Sequence, residues 1–309
     1  MPNLALQVLP RALALVLAAG APAAGQQVGS LQPKPLAPLA NPTDPSVSAK
    51  ELFGRATGPA PLAARTIGFY SRGCLAGGRP IAVNGPSWQV MRVSRNRFWG
   101  HPALIAFLER FARRVPTVSH WPGVLVGDLA QPRGGPMLTG HASHQIGLDA
   151  DLWLTPMPAR ELSPREREEM TAVNVVRADR RDVDPARWTP DHMAVIKAAA
   201  QDRAVQRIFV NAAIKKAICR EATGDRSWLA KVRPYYGHDF HFHVRLACPA
   251  GEDVCRDQAP VASGEGCDAS LEHWFTEAVL HPKPGPVKRR PPVTMAGLPA
   301  ECRAVLSAR

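Results

Sequence analysis

No stretch of this chain is apolar enough, for long enough, to cross a membrane as a helix. Even the run from Ala12 to Ala19 falls far short of the roughly 20 residues that a span needs. The signatures of several catalytic designs are missing as well. There is no G-x-S-x-G elbow and no S-x-x-K motif to activate a serine. There is no H-E-x-x-H helix to hold a metal and no G-x-x-x-x-G-K-[ST] loop to cradle phosphates. The lack of any C-x-x-C argues against a thiolate zinc knuckle and against a thioredoxin-like redox centre. Serine, helical-zincin and nucleotide-dependent chemistries are thereby disfavoured.

What is present begins with an export signature. Arg11 precedes the apolar run, and small residues follow at Ala21, Ala23 and Ala24, so residues 1–24 read as a cleaved signal peptide. The mature protein is then expected outside the cytoplasm and free of membrane insertion. Six cysteines are present: Cys74, Cys219, Cys248, Cys255, Cys267 and Cys302. An even number in an exported chain favours disulfides, which leaves no free thiol for a papain-like nucleophile; spacing alone chooses no pairing. The formal net charge is +12. In that compartment the charge points to the acidic cell wall or an anionic membrane surface rather than to nucleic acid.

Residues 25–62, rich in Pro and Ala, read as an extended arm. Residues 63–280 read as the folded domain, and 281–309 as a Pro-rich basic tail whose last segment carries Cys302. Within the domain, Trp88 to Val93 is β-like. His101 to Val115 places Leu104, Ile105, Leu108 and Phe111 at helical spacing. Two segments alternate: Gly147 to Leu154 puts Asp149, Asp151 and Trp153 on one face, and His241 to Ala247 does the same for His241, His243 and Arg245. Helices are expected over Pro190–Ala200 and Ala212–Ala222, a short buried strand over Arg207–Val210, and a charged surface excursion over 162–182. Strands and helices mix without regular β-α-β alternation, so the expected class is α+β, an antiparallel sheet flanked by helices.

Five of the ten histidines fall in two clusters. His141 and His144 lie in Gly140-His141-Ala142-Ser143-His144, which leads to Asp149 and Asp151; His238, His241 and His243 lie in Gly237-His238-Asp239-Phe240-His241-Phe242-His243. A lone histidine is most often an ordinary hydrogen-bonded residue. Two clusters joined to a strand carboxylate instead match an exchangeable zinc, which takes neutral imidazoles and one carboxylate and keeps a position for water. His144 can enter the strand from which Asp151 projects. His241 and His243 share a strand face, so one can bind the ion while the other faces the water.

The spacings His144-x₆-Asp151 and His241-x-His243 resemble the signature of the LAS metallopeptidases. Longer runs are similar to one branch, the penicillin-insensitive murein endopeptidases: Gly140 to Asp151, Val93 to Pro102, Arg207 to Asn211, Lys231 to Pro234 and His243 to Leu246. The resemblance extends from about Leu52 to the tail. It implies a LAS-type fold, as in hedgehog and D-alanyl-D-alanine peptidase domains, and zinc on His144, Asp151 and His243 with His141 near the metal. It further implies that His241 is the catalytic histidine and His238 another site histidine. It pairs Cys74 with Cys302, Cys219 with Cys267, and Cys248 with Cys255. Members are periplasmic, can be dimeric, and cut the peptidoglycan cross-link between D-alanine and meso-diaminopimelic acid. Some carry an Asp and a His for a second metal in the charged excursion, where this chain has Asp179 and Asp182.

On this reading His241 serves as the cationic or proton-transferring group with His238 in support, and Asp149 and Asp239 orient histidines. The alternatives are a carboxypeptidase trimming terminal D-alanine, a non-catalytic module on the same scaffold, and a basic wall-binding protein.

Overall fold

The computed structural model describes residues 36–261, 263–283 and 291–309. The signal peptide read over residues 1–24 and most of the basic stretch of the tail lie outside them. The strands are β1 (Arg65–Phe69), β2 (Arg72–Ala76), β3 (Arg79–Pro80), β4 (Asn84–Gly85), β5 (Trp88–Val90), β6 (Trp99–Gly100), β7 (Val124–Val126), β8 (Asp149–Pro156), β9 (Val205–Val210), β10 (Val232–Pro234) and β11 (His241–Leu246). The helices are α1 (Ala49–Phe53), α2 (Pro102–Val118), α3 (Pro164–Glu169), α4 (Pro190–Ala200), α5 (Ala212–Glu221), α6 (Ala269–Glu272), α7 (Glu277–Leu280) and α8 (Glu301–Ser307). Seven strands form the main sheet in the order β10-β9-β11-β8-β7-β5-β4, while β1 pairs with β2 and β3 with β6.

The two alternating segments lie side by side at the centre of that sheet. β8 and β11 run antiparallel, with His241 opposite Trp153, His243 opposite Asp151 and Arg245 opposite Asp149. Because successive side chains point to opposite faces, this register puts Ala150, Leu152, Leu154, Phe242 and Val244 together in the apolar core. α2 covers that face. It starts with His101, whose Nδ1 accepts from the Ala103 amide at 3.2 Å, and with Pro102 in the first turn. Its buried stripe of Leu104, Phe107, Leu108, Phe111, Ala112 and Val115 follows the helical period, and Phe111 meets Phe242 edge-on at 6.4 Å. Residues of α4 and α5 complete the same core. The opposite face of β8 and β11 is left with Asp149, Asp151, His241, His243 and Arg245.

The sheet is mixed rather than purely antiparallel. β5 is parallel to β7, and β9 is parallel to β10. A parallel pair needs a long crossover, and α2 and α5 supply the two. The excursion over 162–182 also departs from a surface reading, since Leu162, Arg167, Glu168, Ala172, Val175 and Val176 are buried. Arg167 goes inside because its guanidinium is met by the carbonyls of Leu162 and Val90 and by Gln89, so its charge stays hydrogen-bonded.

Three disulfides are formed: Cys74–Cys302, Cys219–Cys267 and Cys248–Cys255. They are the pairs that the family resemblance implied, and they fit an exported protein. The first fastens α8 to β2, where Phe53 of α1, Ile67, Leu298 and Val305 gather into a second small core. No helix among the described residues is long and apolar enough to cross a membrane.

Lys215 on α5 is fully buried, and its Nζ donates to the carbonyls of Leu229 (2.9 Å) and Glu265 (2.6 Å). Burial, reinforced by Arg233, pulls its pKa from 10.5 down to about 7. Between those values the unfolded chain holds the extra proton, so stability should rise with pH from about 7 to about 10, by on the order of 1 kcal/mol per unit. Urea melts at pH 7 and pH 9 check this against Lys215→Met. The variant should lose that rise; identical pH dependence in both proteins would refute it.

Candidate metal centre

Asp151 is the hub. It projects from the polar face of β8, almost completely buried. Three imidazole nitrogens converge on its Oδ1: His243 Nδ1 at 3.2 Å, His144 Nε2 at 3.4 Å and His241 Nε2 at 3.6 Å. His141 Nδ1 approaches the other oxygen, Oδ2, at 3.4 Å. Within this set, the ligand atoms of His141, His144 and Asp151 all lie within 4.8 Å of one another.

Each donor reaches the hub by its own route. His243 arrives by register, directly across from Asp151 on β11. His144 arrives by a tight loop. Its own φ is 64°, in the left-handed region, and Gly147 follows at φ 75°. A Cβ on Gly147 would sit 2.8 Å from the His101 amide nitrogen and from Leu75, so only glycine fits there. The His144 conformation is held by its backbone amide, which donates to Asp149 Oδ2 at 2.9 Å. Strain of that kind, on the order of 1–3 kcal/mol, persists where the surroundings over-determine it.

Asp149 orients two of the donors at once. Fully buried, it accepts from His243 Nε2 at 3.0 Å and from Arg245 Nε at 2.8 Å in addition to the His144 amide. With Nε2 held by this carboxylate, Nδ1 is the nitrogen turned toward Asp151, the arrangement that orients ligand histidines. Arg245 is itself clamped between the rings of Tyr70 (4.1 Å) and Phe209 (5.1 Å). Asp128 does for His141 what Asp149 does for His243: it accepts from Nε2 at 3.0 Å and leaves Nδ1 toward Asp151. Asp239, expected to orient a histidine, instead accepts from Asn174 Nδ2 at 3.0 Å.

The electrostatics follow from these partners. Burial opposes the charge on Asp151, but His241, His144 and His141 outweigh it and hold the carboxyl well below the ordinary range. Burial holds His144 neutral, its pKa down to about 4. Burial works against a protonated His243 too, yet Asp149 and Asp151 overcome it and push the imidazole up to about 9.

The donor set suits a metal ion. His144 Nδ1 and Nε2, Asp151 Oδ1 and His241 Nδ1 are buried without a hydrogen-bond partner, a costly state for polar atoms. A tetrahedral ion with bonds of about 2.0–2.1 Å sets its ligands about 3.3–3.4 Å apart. The separations around Asp151 Oδ1, 3.2–3.6 Å, bracket that edge, and none of these contacts satisfies the oxygen as a hydrogen bond. His238 stands outside this group. It touches the cluster through His241 and His243, ring centres 4.8 and 5.9 Å apart, and its Nδ1 donates to the Tyr236 carbonyl at 2.8 Å. A cleft of about 310 Å³ opens beside the cluster, lined by His141, Asp151, His241 and Trp153 and by Arg92 and Arg95 among others.

Asp179 and Asp182 are spoken for by cations: Asp179 by Arg177 (2.6 Å), Asp182 by Arg220 (2.9 Å) and Lys216 (3.7 Å). They join no metal-holding group among the described residues.

A family model described as penicillin-insensitive murein endopeptidase matches residues 66–307. The chain belongs to that family. Similar proteins of the same description occur in Haemophilus influenzae, 45% identical over 246 residues that make up 79% of this chain and 83% of the relative. Another, from Klebsiella pneumoniae, is 43% identical over 256 residues, 81% of this chain and 89% of the relative. A third, from Escherichia coli O1:K1, is 42% identical over 253 residues with the same coverage of each chain. The matched segment of this murein endopeptidase family member holds both histidine clusters and Asp128, which the sequence reading missed. Asp128 lies just beyond the three-residue strand β7, where the only signal is a Gly-Asp pair after an apolar run.

Proposed function

We propose that the chain is a zinc-dependent endopeptidase acting in the periplasm, where it hydrolyses D-alanyl–meso-diaminopimelyl cross-links of peptidoglycan on a LAS-type fold. The observation that carries this reading is the convergence of His144 and His243 on Asp151 Oδ1 at 3.4 and 3.2 Å, with His241 3.6 Å from the same oxygen beside an open cleft. His144, Asp151 and His243 are the residues that would hold the zinc, with His141 bordering it. Three protein ligands leave a position open, as catalytic sites require. Zinc held there supplies a Lewis acid and activates water near neutral pH.

The chain's own groups do the rest. Asp149 and Asp128 keep the histidine nitrogens aimed at the centre. His241 lines the cleft and transfers a proton to or from the reacting peptide group, or balances negative charge on its carbonyl oxygen. His238, packed on His241, supports that ring. The three disulfides, the net charge of +12 and the names of the relatives support an exported enzyme working on the anionic wall.

Digestion of purified cell wall followed by mass spectrometry of the muropeptides tests the reading. Cross-linked dimers should give way to monomers, with penicillin having no effect because no serine is acylated. His241→Ala should keep its metal yet slow the reaction by about 10²- to 10⁴-fold. Loss of terminal D-alanine with dimers intact would turn the assignment to a carboxypeptidase, and an unchanged profile would turn it to a binding protein.

A further inference from the structure

The run from Val93 to Pro102 supplies no metal ligand. It opens with a single 3-10 turn, Val93–Arg95, flanked by Arg92 and Asn96, both in the left-handed region at φ 56° and 53°. Two non-glycine excursions, one on each side of a single turn, are strained, and strain of this kind gathers at functional sites. The excursion over 162–182 fastens the turn. Glu168 accepts from the Ser94 amide (2.9 Å) and hydroxyl (2.8 Å), and the Arg167 carbonyl accepts from the Arg92 amide (3.1 Å). Asn96 Nδ2 donates to the Thr57 carbonyl at 3.1 Å from the other side.

What this anchored turn delivers is positive charge. Arg92, Arg95 and Arg97 all line the cleft that contains His141, Asp151 and His241. Arg95 and Arg97 share one carboxylate, Asp128, at 3.2 and 3.0 Å, and Asp128 is also bound to His141. Arg92 takes part in no ion pair among the described residues. Its terminal nitrogens donate to the carbonyls of Arg167 and Met170, and its Nε is buried without a hydrogen-bond partner. Asp151 is committed to the imidazoles. The cleft wall therefore gathers three guanidinium groups where its lining holds two carboxylates, Asp128 and Asp151, with Glu168 acting on Arg92 from behind the turn. Arg92 and Arg97 are sunk in the wall, whereas the Arg95 side chain keeps 21% of its surface exposed.

We propose that Arg95 binds a free carboxylate of the substrate, the one on the carbon that bears the leaving amine, with Arg92 and Arg97 supplying the surrounding field. This rests on the endopeptidase reading above. In a cross-link made through one amine of meso-diaminopimelic acid, the carboxylate on that same carbon stays free. It sits next to the scissile bond, and the arginines line the same cleft as His141, Asp151 and His241. A guanidinium fork matches a carboxylate in shape as well as charge. Arg95 is thus a specificity-determining residue that selects a peptide bond with a free acid on its leaving side.

The test uses the zinc-loaded full-length protein and two purified cross-linked muropeptide dimers that differ only in whether that carboxylate is free or amidated. Wild type should cleave the amidated dimer with kcat/KM roughly 10- to 100-fold lower, mainly through KM. Arg95→Gln should fall by a similar factor on the free acid, and its ratio between the two dimers should collapse to about one. Arg95→Lys, a point charge without the fork, should lie between. Zinc content and melting temperature of the variants, held at wild-type values, separate this effect from a disturbed Asp128–His141 contact. Equal rates of wild type on both dimers, or a full preference kept by Arg95→Gln, would overturn the proposal and leave the endopeptidase reading standing. Cleavage of neither dimer by wild type would bring down both.

Discussion

Asp151→Asn should lose its metal and hydrolyse peptidoglycan peptides at least about 10³-fold more slowly. The amide nitrogen cannot accept, and whichever way the amide turns, the negative charge is gone. That charge is what holds the buried imidazoles around one point: His144, His241 and His243 face Oδ1 and His141 faces Oδ2, all at 3.2–3.6 Å. Without it, the same histidines lose the electrostatic reason to converge. A catalytic metal contributes several kcal/mol of transition-state stabilisation, and each 1.4 kcal/mol or so is tenfold in rate. Chelation of wild type should reproduce the loss, and added zinc should restore wild type but not the variant. Elemental analysis of the purified proteins, set beside the rates, is the measurement. An Asp151→Asn protein that retains a full equivalent of metal would refute the centre described here.

Asp149→Ala should lower stability by about 3–5 kcal/mol even in metal-free protein. Asp149 is completely buried, and Arg245, buried beside it, depends on it through Nε at 2.8 Å and Nη2 at 3.2 Å. Removing one partner of such a pair leaves the other charge in a low-dielectric site, which is the costly case. The loss spreads because Asp149 also holds the left-handed His144 amide and His243 Nε2. For a domain of this size the change corresponds to a melting temperature lower by roughly 10 °C. Thermal melts of the apo proteins separate this from any loss of ligand. Asp149→Asn, which keeps the shape without the charge, should fall between. A melting temperature within about 2 °C of wild type for Asp149→Ala would mean that Arg245 finds another partner or water.

The parts legible in sequence were those with a period. β8 and β11 show strict alternation, so Asp151, His241 and His243 could be assigned to strand faces before any coordinates, and the stripe of α2 could be read in the same way. The parallel pairs were not legible. β5, β7 and β10 are three residues each, too short for two-residue alternation to stand out, so the crossovers through α2 and α5 went unnoticed. Asp128 has no periodic context, and its partner His141 is thirteen positions on in a loop. Charge density misled in a different way. Arg167 and Glu168 look like solvated surface, yet they are buried because backbone groups of Val90, Leu162 and Ser94 complete their hydrogen bonds. Only the tertiary arrangement reveals that those backbone groups are available.

The disulfides enclose one another. The Cys248–Cys255 bridge lies inside the segment closed by Cys219–Cys267, and both lie inside the span closed by Cys74–Cys302, whose ends are 228 positions apart. A chain oxidised in sequence order from its amino end would join Cys74 to Cys219 and Cys267 to Cys302, and only the innermost pair would be native. Oxidation in that order would need thiol exchange to reach the native pairing, and the outermost bond can close only once the whole histidine-bearing segment is present.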